Sequence, residues 1–301
     1  MMGRTGRAIT LAGAFLLFAF ALTPAWASSE IGEQAPGPQG AEEGAMRRQL
    51  WLIPLPGERL LMHTTVLRPP GSGPFPLAVI NHGSSQSSYS RAQFKPSLYE
   101  HVARWFLDRG YAVVLPIRPG HGETGGPYFE DQGRCESPEY EKSGAATADS
   151  IQAAIDYLTA QPFVQKADVV VVGQSAGGWG ALALASRNPA AVRAVINFSG
   201  GRGGRADDRP NTNCSPERLV AAAGTFGRAA RIRTLWLYSE NDSFFAPALS
   251  KRMAEAFRNA GGPVDYHLLP PLGADGHVFI ERSDAAPLWS PIVEKFLSSH
   301  Q

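Results

Sequence analysis

The chain has 301 residues, of which 44% are hydrophobic and 18% charged. This composition excludes a disordered chain and suits one large α/β domain. The formal net charge is +1 and the arginines are scattered along the chain, so no basic surface for nucleic acid is expected. No internal repeat and no linker to a second domain is visible.

The first residues have the pattern of a secretory signal peptide. Arg4 and Arg7 precede an apolar run, Ile9–Leu22, and a small-x-small cleavage site follows at Ala25-Trp26-Ala27. The alternative is a membrane anchor, but the run is shorter than the roughly 20 residues of a spanning helix. We expect cleavage of residues 1–27, leaving a periplasmic or secreted protein without a stable membrane anchor.

Residues 28–46 are rich in Gly, Glu, Gln and Pro, and we expect a flexible mature N-terminus there. From residue 47 to residue 301, apolar runs typical of strands alternate with segments of helical period. The predicted strands are Arg48–Pro54, Arg59–Leu67, Leu77–Asn81, Tyr111–Leu115, Asp168–Val172, Val192–Phe198, Thr234–Tyr238 and Val264–Leu269. The predicted helices are Leu98–Arg109, Ala146–Thr159, Ala176–Ser186, Ala246–Asn259 and Ala286–Ser298. This order predicts an α/β fold with a doubly wound, mostly parallel sheet behind an N-terminal antiparallel hairpin.

The pentapeptide Gly173–Gly177 fits the pattern G-x-S-x-G, with serine at position 175. It follows the β-branched run Val169–Val172 and precedes an Ala-rich helix, which is the strand-turn-helix setting of a nucleophile elbow. A tight turn of this kind needs glycines and lifts the serine hydroxyl to the helix N-terminus, where backbone N–H groups favour negative charge. We expect Ser175 to be the nucleophile; the alternative is a glycine-rich turn with an idle serine.

A serine hydroxyl needs a base, and in this setting the acid and then the histidine follow the serine along the chain. Three histidines lie downstream. His277 is in a glycine-rich loop between the last strand and the last helix, and we expect it to be the base. His267 is inside a predicted strand and His300 is next to the last residue, so neither suits the role.

The acid should follow the strand Thr234–Tyr238, where Glu240 and Asp242 are the candidates. Asp242 is our choice because an aspartate a few residues beyond the strand reaches the histidine loop. Glu240 stays an alternative. Asp275 is two residues before the base, but a role in the turn fits it better.

An oxyanion hole needs two backbone N–H groups, one directly after the nucleophile and one after an earlier strand. The first is that of Ala176. The second lies in Asn81-His82-Gly83-Ser84, where Ser84 is the expected donor and Gly83 lets the backbone approach the substrate oxygen. We expect His82 to shape this loop and not to act as a base.

Together, Val79–Gly83, Arg118–Gly122, Gly173–Gly178, Glu240–Asp242 and Gly276-His277 resemble the α/β-hydrolase superfamily. Within it the chain is most similar to the dienelactone-hydrolase-like and prolyl-oligopeptidase-like branch, over residues from about 47 to the C-terminus. The resemblance implies a triad of Ser175, Asp242 and His277, with Ser84 and Ala176 as oxyanion donors. It also has a departure: dienelactone hydrolases carry a cysteine nucleophile, so the serine here points to ordinary esters. The propeller domain of prolyl oligopeptidases is absent, which weakens a peptidase function.

Two inserted segments, Gly120–Gly144 and Gly200–Gly227, follow strand ends at the edge where open α/β sheets bind ligands. We expect a disulfide between Cys135 and Cys214 to join them into a small lid, the alternative being two free thiols. Pocket walls are expected from Tyr128, Phe129 and Phe226, although these side chains would equally serve to pack the loops. For Arg202 and Arg205 we favour solvated loop arginines over recognition of an acidic substrate.

The sequence thus predicts an exported hydrolase of small-molecule or polymeric carboxylic esters that needs no cofactor and no metal. Neither cysteine has a second ligand at metal-binding spacing. A serine peptidase or amidase with the same triad is the first alternative. A binding protein on an inactive hydrolase scaffold is the second, and the intact serine, acid and histidine candidates argue against it.

Overall fold

The computed structural model describes residues 1–3, 35–95 and 99–299 of the chain. The predicted signal peptide lies largely outside these residues, as do positions 28–34, the expected helix start at Leu98 and His300. The chain divides into two units at residue 35, and every element described below belongs to the second, Ala35–Gln301. In the described ranges, no helix is long and apolar enough to cross a bilayer.

Nine strands of the described residues form one sheet. They are β1 (Gly37–Glu43), β2 (Arg48–Pro54), β3 (Leu61–Leu67), β4 (Leu77–Asn81), β5 (Ala112–Pro116), β6 (Val169–Gln174), β7 (Val192–Phe198), β8 (Arg233–Ser239) and β9 (Val264–Leu269). The order across the sheet is β1-β2-β3-β5-β4-β6-β7-β8-β9. The neighbouring pairs β1–β2, β2–β3 and β3–β5 are antiparallel. All pairs further along this order, from β5–β4 to β8–β9, are parallel.

Helices cover both faces of the sheet. They are α1 (Ser88–Ala92), α2 (Glu100–Leu107), α3 (Tyr140–Thr159), α4 (Ala176–Ala185), α5 (Pro216–Ala229), α6 (Pro247–Asn259) and α7 (Ala286–Ser298). One apolar core lies between the sheet and helices α3 to α6, and a second lies between the sheet and helices α2 and α7. The predicted doubly wound, mostly parallel α/β fold is therefore confirmed.

The central strand β6 contributes side chains to both cores. Val169 and Val171 face one core and Val170 and Val172 face the other, since successive strand side chains point to opposite faces. All four valines are fully buried. A strand covered on both faces reads as an unbroken apolar run, which is how the sequence identified it. Each buried valine contributes roughly 1.5–3 kcal/mol of hydrophobic stabilisation.

The prediction of a flexible segment over residues 28–46 is wrong for Gly37–Glu43, which form the N-terminal strand β1. Gly37 pairs with Leu52 and Glu43 with Arg48 across the β1–β2 ladder. The Glu42 carboxylate is paired with the guanidinium groups of two nearby arginines, at positions 47 and 68. An edge strand needs only backbone partners on one side, so its sequence carries no apolar alternation by which to predict it.

Several other elements differ from the prediction, among them β3, α3 and α5. Strand β3 begins at Leu61 and not at residue 59, because the hairpin turn is longer than the Pro56-Gly57 pair suggested. Helix α3 begins at Tyr140, six residues before the predicted start, in a stretch of polar and charged residues without helical period. The segment Gly200–Gly227, predicted as a loop, contains most of helix α5.

Candidate active site

Ser175 occupies a strained turn between β6 and α4. Its backbone has φ 52° and ψ −118°, a conformation that non-glycine residues rarely adopt. The turn is held from both sides. The Ser175 N–H donates to the carbonyl of Phe198 at 3.0 Å, and the Ser175 carbonyl accepts from the N–H groups of Trp179 at 2.9 Å and Gly201 at 3.1 Å. Strain fixed by so many backbone bonds is typical of a functional position.

The glycines around Ser175 are required by close backbone approach. A Cβ on Gly173 would overlap the backbone of Gly177, and a Cβ on Gly177 would overlap the carbonyl groups at the end of β4. On the facing loop, a Cβ on Gly83 would lie 3.3 Å from the Cβ of Ser175 and overlap the amide of Gln174. The loop after β4 therefore lies directly against the elbow, as the oxyanion-hole prediction requires.

His277 and Asp242 meet at the carboxyl edge of the sheet. The Nδ1 atom of His277 lies 3.1 Å from Oδ1 of Asp242, and both side chains are buried. Glu240, the alternative acid, is exposed. A carboxylate only accepts, so Nδ1 of His277 donates to Asp242, and in the neutral imidazole Nε2 is the nitrogen that can accept a proton.

The Asp242 carboxylate is itself fixed by the loop that follows β8. Its Oδ1 atom also accepts the backbone N–H groups of Phe244 at 2.8 Å and Phe245 at 2.9 Å. The Phe244 ring stacks on His277, with centroids 4.0 Å apart and planes inclined by 21°. The imidazole is thus held by a carboxylate at Nδ1 and by an aromatic ring on its face.

Asp275 supports the histidine loop, in agreement with the turn role expected for it. Its carboxylate accepts the backbone N–H of His277 at 2.9 Å and the N–H and hydroxyl of Ser243 at 3.1 and 2.5 Å. Burial acts to raise the pKa of Asp275, but these hydrogen bonds outweigh it and hold the pKa below its usual value. The charged carboxylate therefore ties the loop after β8 to the loop that carries His277.

His82 belongs to the loop after β4 and is committed to hydrogen bonds within it. Its Nδ1 lies 2.6 Å from the carbonyl of Gly83, and its Nε2 accepts the backbone N–H of Arg118 at 3.1 Å. Burial is the main cause that lowers the pKa of His82 well below its usual value. The neutral ring shapes the loop, as the sequence suggested, and has no nitrogen left for a base role.

A pocket of about 790 Å³ opens above these residues. Its floor includes Ser84, Ser175, Ala176 and His277, so the structure brings four of the five predicted catalytic and oxyanion residues to one cavity, and Asp242 lies directly behind the histidine. The apolar part of the wall consists of Phe94, Phe244, Phe245 and Val278. The polar part includes Gln132, Arg202 and Arg205.

None of the three predicted aromatic pocket walls, Tyr128, Phe129 and Phe226, lines the pocket. Phe226 is buried in α5, with its ring centroid 4.9 Å from that of Trp179, and Phe129 packs against the same core. Neither lines the pocket. Helical packing in α5, which the sequence did not reveal, turns Phe226 inward. Tyr128 does not line the pocket either, but its hydroxyl lies 3.0 Å from Oγ of Ser84, directly beneath the pocket floor.

The interpretation of Arg202 as a solvated arginine is also wrong. Its side chain is 6% exposed, and it shares the buried carboxylate of Glu130 with Arg118, which is fully buried. Burial alone would raise the pKa of Glu130, but the charges of Arg118 and Arg202 outweigh it and hold the pKa far below its usual value. Arg205 is three-quarters buried and bonds Oγ of Ser243 at 3.1 Å.

Sequence reasoning did not identify Glu130, although this carboxylate is the centre of a buried charged cluster beside the pocket. Nothing local marks it, because its two arginine partners come from residues 12 positions before and 72 positions after it. Arg118 and His121 stood in the motif that carried the family resemblance. The only sequence signal that pointed to this cluster was therefore Arg118, in a glycine-rich loop at a strand end.

The predicted disulfide is present between Cys135 and Cys214. It joins the two inserted segments, and Ser215 Oγ adds a hydrogen bond of 3.0 Å to the carbonyl of Cys135. The hydroxyl of Tyr140, at the start of α3, donates to the carbonyl of Cys214. The disulfide and these hydrogen bonds hold the two segments together beside the pocket. In the part of the chain described, no group of three His, Cys, Asp or Glu side chains is arranged to hold a metal ion.

A parallel sheet with a strained serine at a strand-helix turn, and an acid and a histidine on the following loops, defines the α/β-hydrolase fold. The model of the dienelactone hydrolase family matches residues 94–295, and the chain belongs to that family. It is therefore a member of a family of hydrolytic enzymes. A search of curated proteins finds no match.

Solved structures agree on the fold. A putative dienelactone hydrolase from Klebsiella pneumoniae superposes with a TM-score of 0.58 at 17% identity, covering 83% of this chain and 98% of that one. The esterase Pf2001 from Pyrococcus furiosus gives 0.61 at 13% identity, covering 88% and 99%. Dipeptidyl peptidase 4 from Porphyromonas gingivalis gives 0.60 at 14% identity, covering 86% of this chain but 36% of that one. The fold is thus shared with both esterases and peptidases.

Proposed function

We propose that this protein is an exported serine hydrolase that cleaves carboxylic esters through an acyl-enzyme intermediate on Ser175. The observation that carries the proposal is the bond of His277 Nδ1 to the buried Asp242 carboxylate, beside a serine held on a strained turn in the same pocket. The three residues come from the ends of separate elements, which is how this fold assembles nucleophilic sites.

In the proposed reaction, His277 Nε2 takes the proton of the Ser175 hydroxyl as its oxygen attacks the ester carbonyl carbon. The imidazolium that forms is stabilised by the negative charge of Asp242. The tetrahedral intermediate then collapses, the ester C–O bond breaks, and His277 gives the proton to the departing alcohol. A water molecule repeats the sequence on the acyl-enzyme, releasing the acid and restoring Ser175.

The negative charge of the tetrahedral oxygen would be held by the backbone N–H groups of Ala176 and Ser84. Ala176 is the first residue of α4, so its N–H is not used within the helix and points out of the helix N-terminus. Ser84 lies on the facing loop, and both residues line the pocket. Two donors converging from opposite sides suit a developing oxyanion.

Export is part of the proposal and is supported by two independent features. The N-terminal residues have the pattern of a signal peptide with a cleavage site after Ala27. The disulfide between Cys135 and Cys214 suggests an oxidising compartment outside the cytoplasm. Sequencing the N-terminus of the protein recovered from a periplasmic extract tests this, with Ser28 as the expected first residue.

The nucleophile is tested by Ser175→Ala in the mature protein. We expect loss of about 10⁴-fold or more in kcat on short p-nitrophenyl esters, since the alanine cannot form the acyl-enzyme. A fluorophosphonate should label the wild type on the peptide that contains Ser175 and leave the variant unlabelled. Ser186→Ala, at the other end of α4, is the matched control and should keep full activity. Full activity of Ser175→Ala would refute the proposal.

The preference for esters over amides is tested with substrate pairs that share the acyl group. An ester is the more reactive of the two toward any acyl-transfer enzyme, so the anilide is the deciding substrate, and we expect the ester to be hydrolysed with no detectable turnover of the anilide. Turnover of the anilide would favour a peptidase, as would a marked gain from extending an amide substrate by one amino acid. Both outcomes leave Ser175 as the nucleophile and change only the substrate class.

A further inference from the structure

The hydroxyl of Ser84 is held in the loop after β4 by two side chains from the segment after β5. Its Oγ lies 3.0 Å from the hydroxyl oxygen of Tyr128 and 2.9 Å from Nε2 of His121. Ser84 faces the pocket, whereas Tyr128 and His121 lie behind it. Ser84 would donate its backbone N–H to the oxyanion, and two hydrogen bonds to its side chain thus fix its position.

The direction of the Tyr128 hydrogen bond follows from its partners taken together. Arg202 Nη1 donates to the Tyr128 oxygen at 2.8 Å, and the same guanidinium is paired with the buried carboxylate of Glu130. Arginine only donates, so the Tyr128 oxygen accepts there and keeps its own proton for a second partner. Because the single Ser84 proton goes to His121, as described next, Tyr128 donates to Ser84. The Arg91 guanidinium covers the Tyr128 ring at 3.7 Å, which further fixes the ring.

The direction of the His121 hydrogen bond is also defined. Its Nδ1 lies 3.1 and 3.2 Å from the carbonyl oxygens of Pro119 and Arg118, so the ring proton is on Nδ1. Nε2 therefore accepts the proton of the Ser84 hydroxyl. Around the imidazole lie Arg118, Glu130, the His82 ring at 4.7 Å and the Tyr128 ring at 5.5 Å. Arg202 thus donates to Tyr128, Tyr128 to Ser84, and Ser84 to His121, with the Ser85 carbonyl at 3.4 Å as a longer second acceptor for the Ser84 hydroxyl.

We propose that Tyr128 is a positioning residue for the oxyanion hole, which acts through the Ser84 hydroxyl to hold the Ser84 backbone N–H in place. The inference rests on the proposed function of Ser84 in the esterase reaction. A donor to a developing charge is effective only when it is already oriented. The buried Glu130 cluster supplies the rigid end of this support, because Arg202 cannot move without leaving its carboxylate.

A tyrosine that merely filled space would tolerate phenylalanine. Under the proposal, Tyr128→Phe removes the donor to Ser84 and leaves the ring and its contact with Arg91 intact. Removing an oxyanion donor outright lowers kcat by about 10²–10³-fold. Loosening one should cost less, so we expect a fall of about tenfold in kcat with KM changed by less than twofold. A purely structural defect would instead lower the thermal midpoint without this split between kcat and KM.

Ser84→Ala removes the same bond from its other end and keeps the backbone N–H. We expect its kcat to fall by a similar factor, and the double variant Tyr128→Phe/Ser84→Ala to be no slower than the slower single variant. Ser84→Ala also provides the measurement if Tyr128→Phe does not fold. Tyr111→Phe is the matched control, because Tyr111 also accepts from an arginine, Arg193, but on the opposite edge of the sheet. It should retain wild-type kinetics.

The experiment measures ester kcat and KM, and the rate of fluorophosphonate labelling, for the wild type, Tyr128→Phe, Ser84→Ala, their double variant, Tyr111→Phe and Ser175→Ala. Wild-type kcat in folded Tyr128→Phe or in Ser84→Ala would overturn the inference, as would fully multiplicative losses in the double variant. In those cases Ser175→Ala would still be inactive, and the proposed function would stand. An active Ser175→Ala would instead mean that the proposed function has failed.

Discussion

Asp242 and His277 are 35 residues apart in the chain and are joined by one hydrogen bond of 3.1 Å, from Nδ1 of the imidazole to Oδ1 of the carboxylate. The same oxygen accepts two backbone N–H groups, and among the residues that the structure describes the second carboxylate oxygen is buried without a hydrogen-bond partner. The carboxylate is therefore fixed by the loop, independently of the histidine. A substitution can therefore remove the charge of the Asp242 side chain while keeping its position.

Asp242→Asn should keep the geometry and remove the charge. The asparagine oxygen can replace Oδ1 toward all three donors, but it does not stabilise the imidazolium that forms during attack. We expect kcat on p-nitrophenyl esters to fall by about 10²- to 10⁴-fold with little change in the thermal midpoint. Glu240→Gln, two residues earlier and exposed, is the control and should retain full activity. Equal losses in both variants would contradict the assignment of the acid.

Gly177→Ala should destabilise the protein strongly. The new methyl group would overlap the carbonyls of Asn81 and His82, which are backbone atoms that cannot rotate away. We expect a loss of about 3 kcal/mol in the free energy of unfolding, measured by urea denaturation, and no fluorophosphonate labelling. Gly224→Ala in α5 is the matched control. Its methyl group would meet ordinary contacts at 3.6 Å, so a gain of up to about 1 kcal/mol is expected there.

Glu130→Gln should leave two arginines in the interior without a counter-charge. Arg118 and Arg202 are both at least 94% buried, and each is paired with this carboxylate. We expect destabilisation of about 3–5 kcal/mol in the free energy of unfolding. Glu136→Gln, from the exposed pair with Arg134, should change it by less than about 0.5 kcal/mol. A small effect at Glu130 would mean that solvent reaches the cluster.

Stability should fall as the pH is lowered from 8 to 5. Burial, followed by the charge of Arg118, lowers the pKa of His121 from 6.5 to about 4, and His82 is lowered in the same way. In this window the unfolded chain binds protons on both rings and the folded protein does not, so the free energy of unfolding decreases as the pH falls. His121 alone should account for about 2 kcal/mol at pH 5.

This pH effect can be measured by urea denaturation at several pH values, with the His121 imidazole followed by NMR. We expect a midpoint near pH 4 for the imidazole. Above pH 5 most carboxylates are ionised in both the folded and the unfolded state, so their contribution is small. A flat stability profile between pH 8 and pH 5, or a His121 midpoint near 6.5, would contradict the prediction.

The sheet was predictable because its signal is local. The valine run of β6 is buried on both faces, and a continuous apolar run identifies such a strand without knowledge of its neighbours. The polar edge strand β1 has no such signal, because it is held by backbone pairing to β2. Helix α5 was missed because its amphipathic period lies inside a glycine-rich and arginine-rich segment that reads as a loop.

The candidate site divides in the same way. Ser175, Asp242 and His277 could be named from the sequence because each follows a recognisable strand in a fixed order. Glu130 and the inward turn of Arg202 could not, because the two residues are 72 positions apart and meet only through tertiary packing. A charged side chain in a loop is usually solvated, and only the folded structure reveals the carboxylate that keeps these arginines buried.

The bond between Cys135 and Cys214 closes the chain into a covalent ring with a sequence separation of 79 residues. Ser175 lies within this ring, whereas Asp242 and His277 lie in the part of the chain that follows it. The exposed stretch Asp207–Arg209 is also on the ring. A protease that cuts between Asp208 and Arg209 would therefore produce a nicked enzyme whose two pieces stay linked and migrate apart only after reduction.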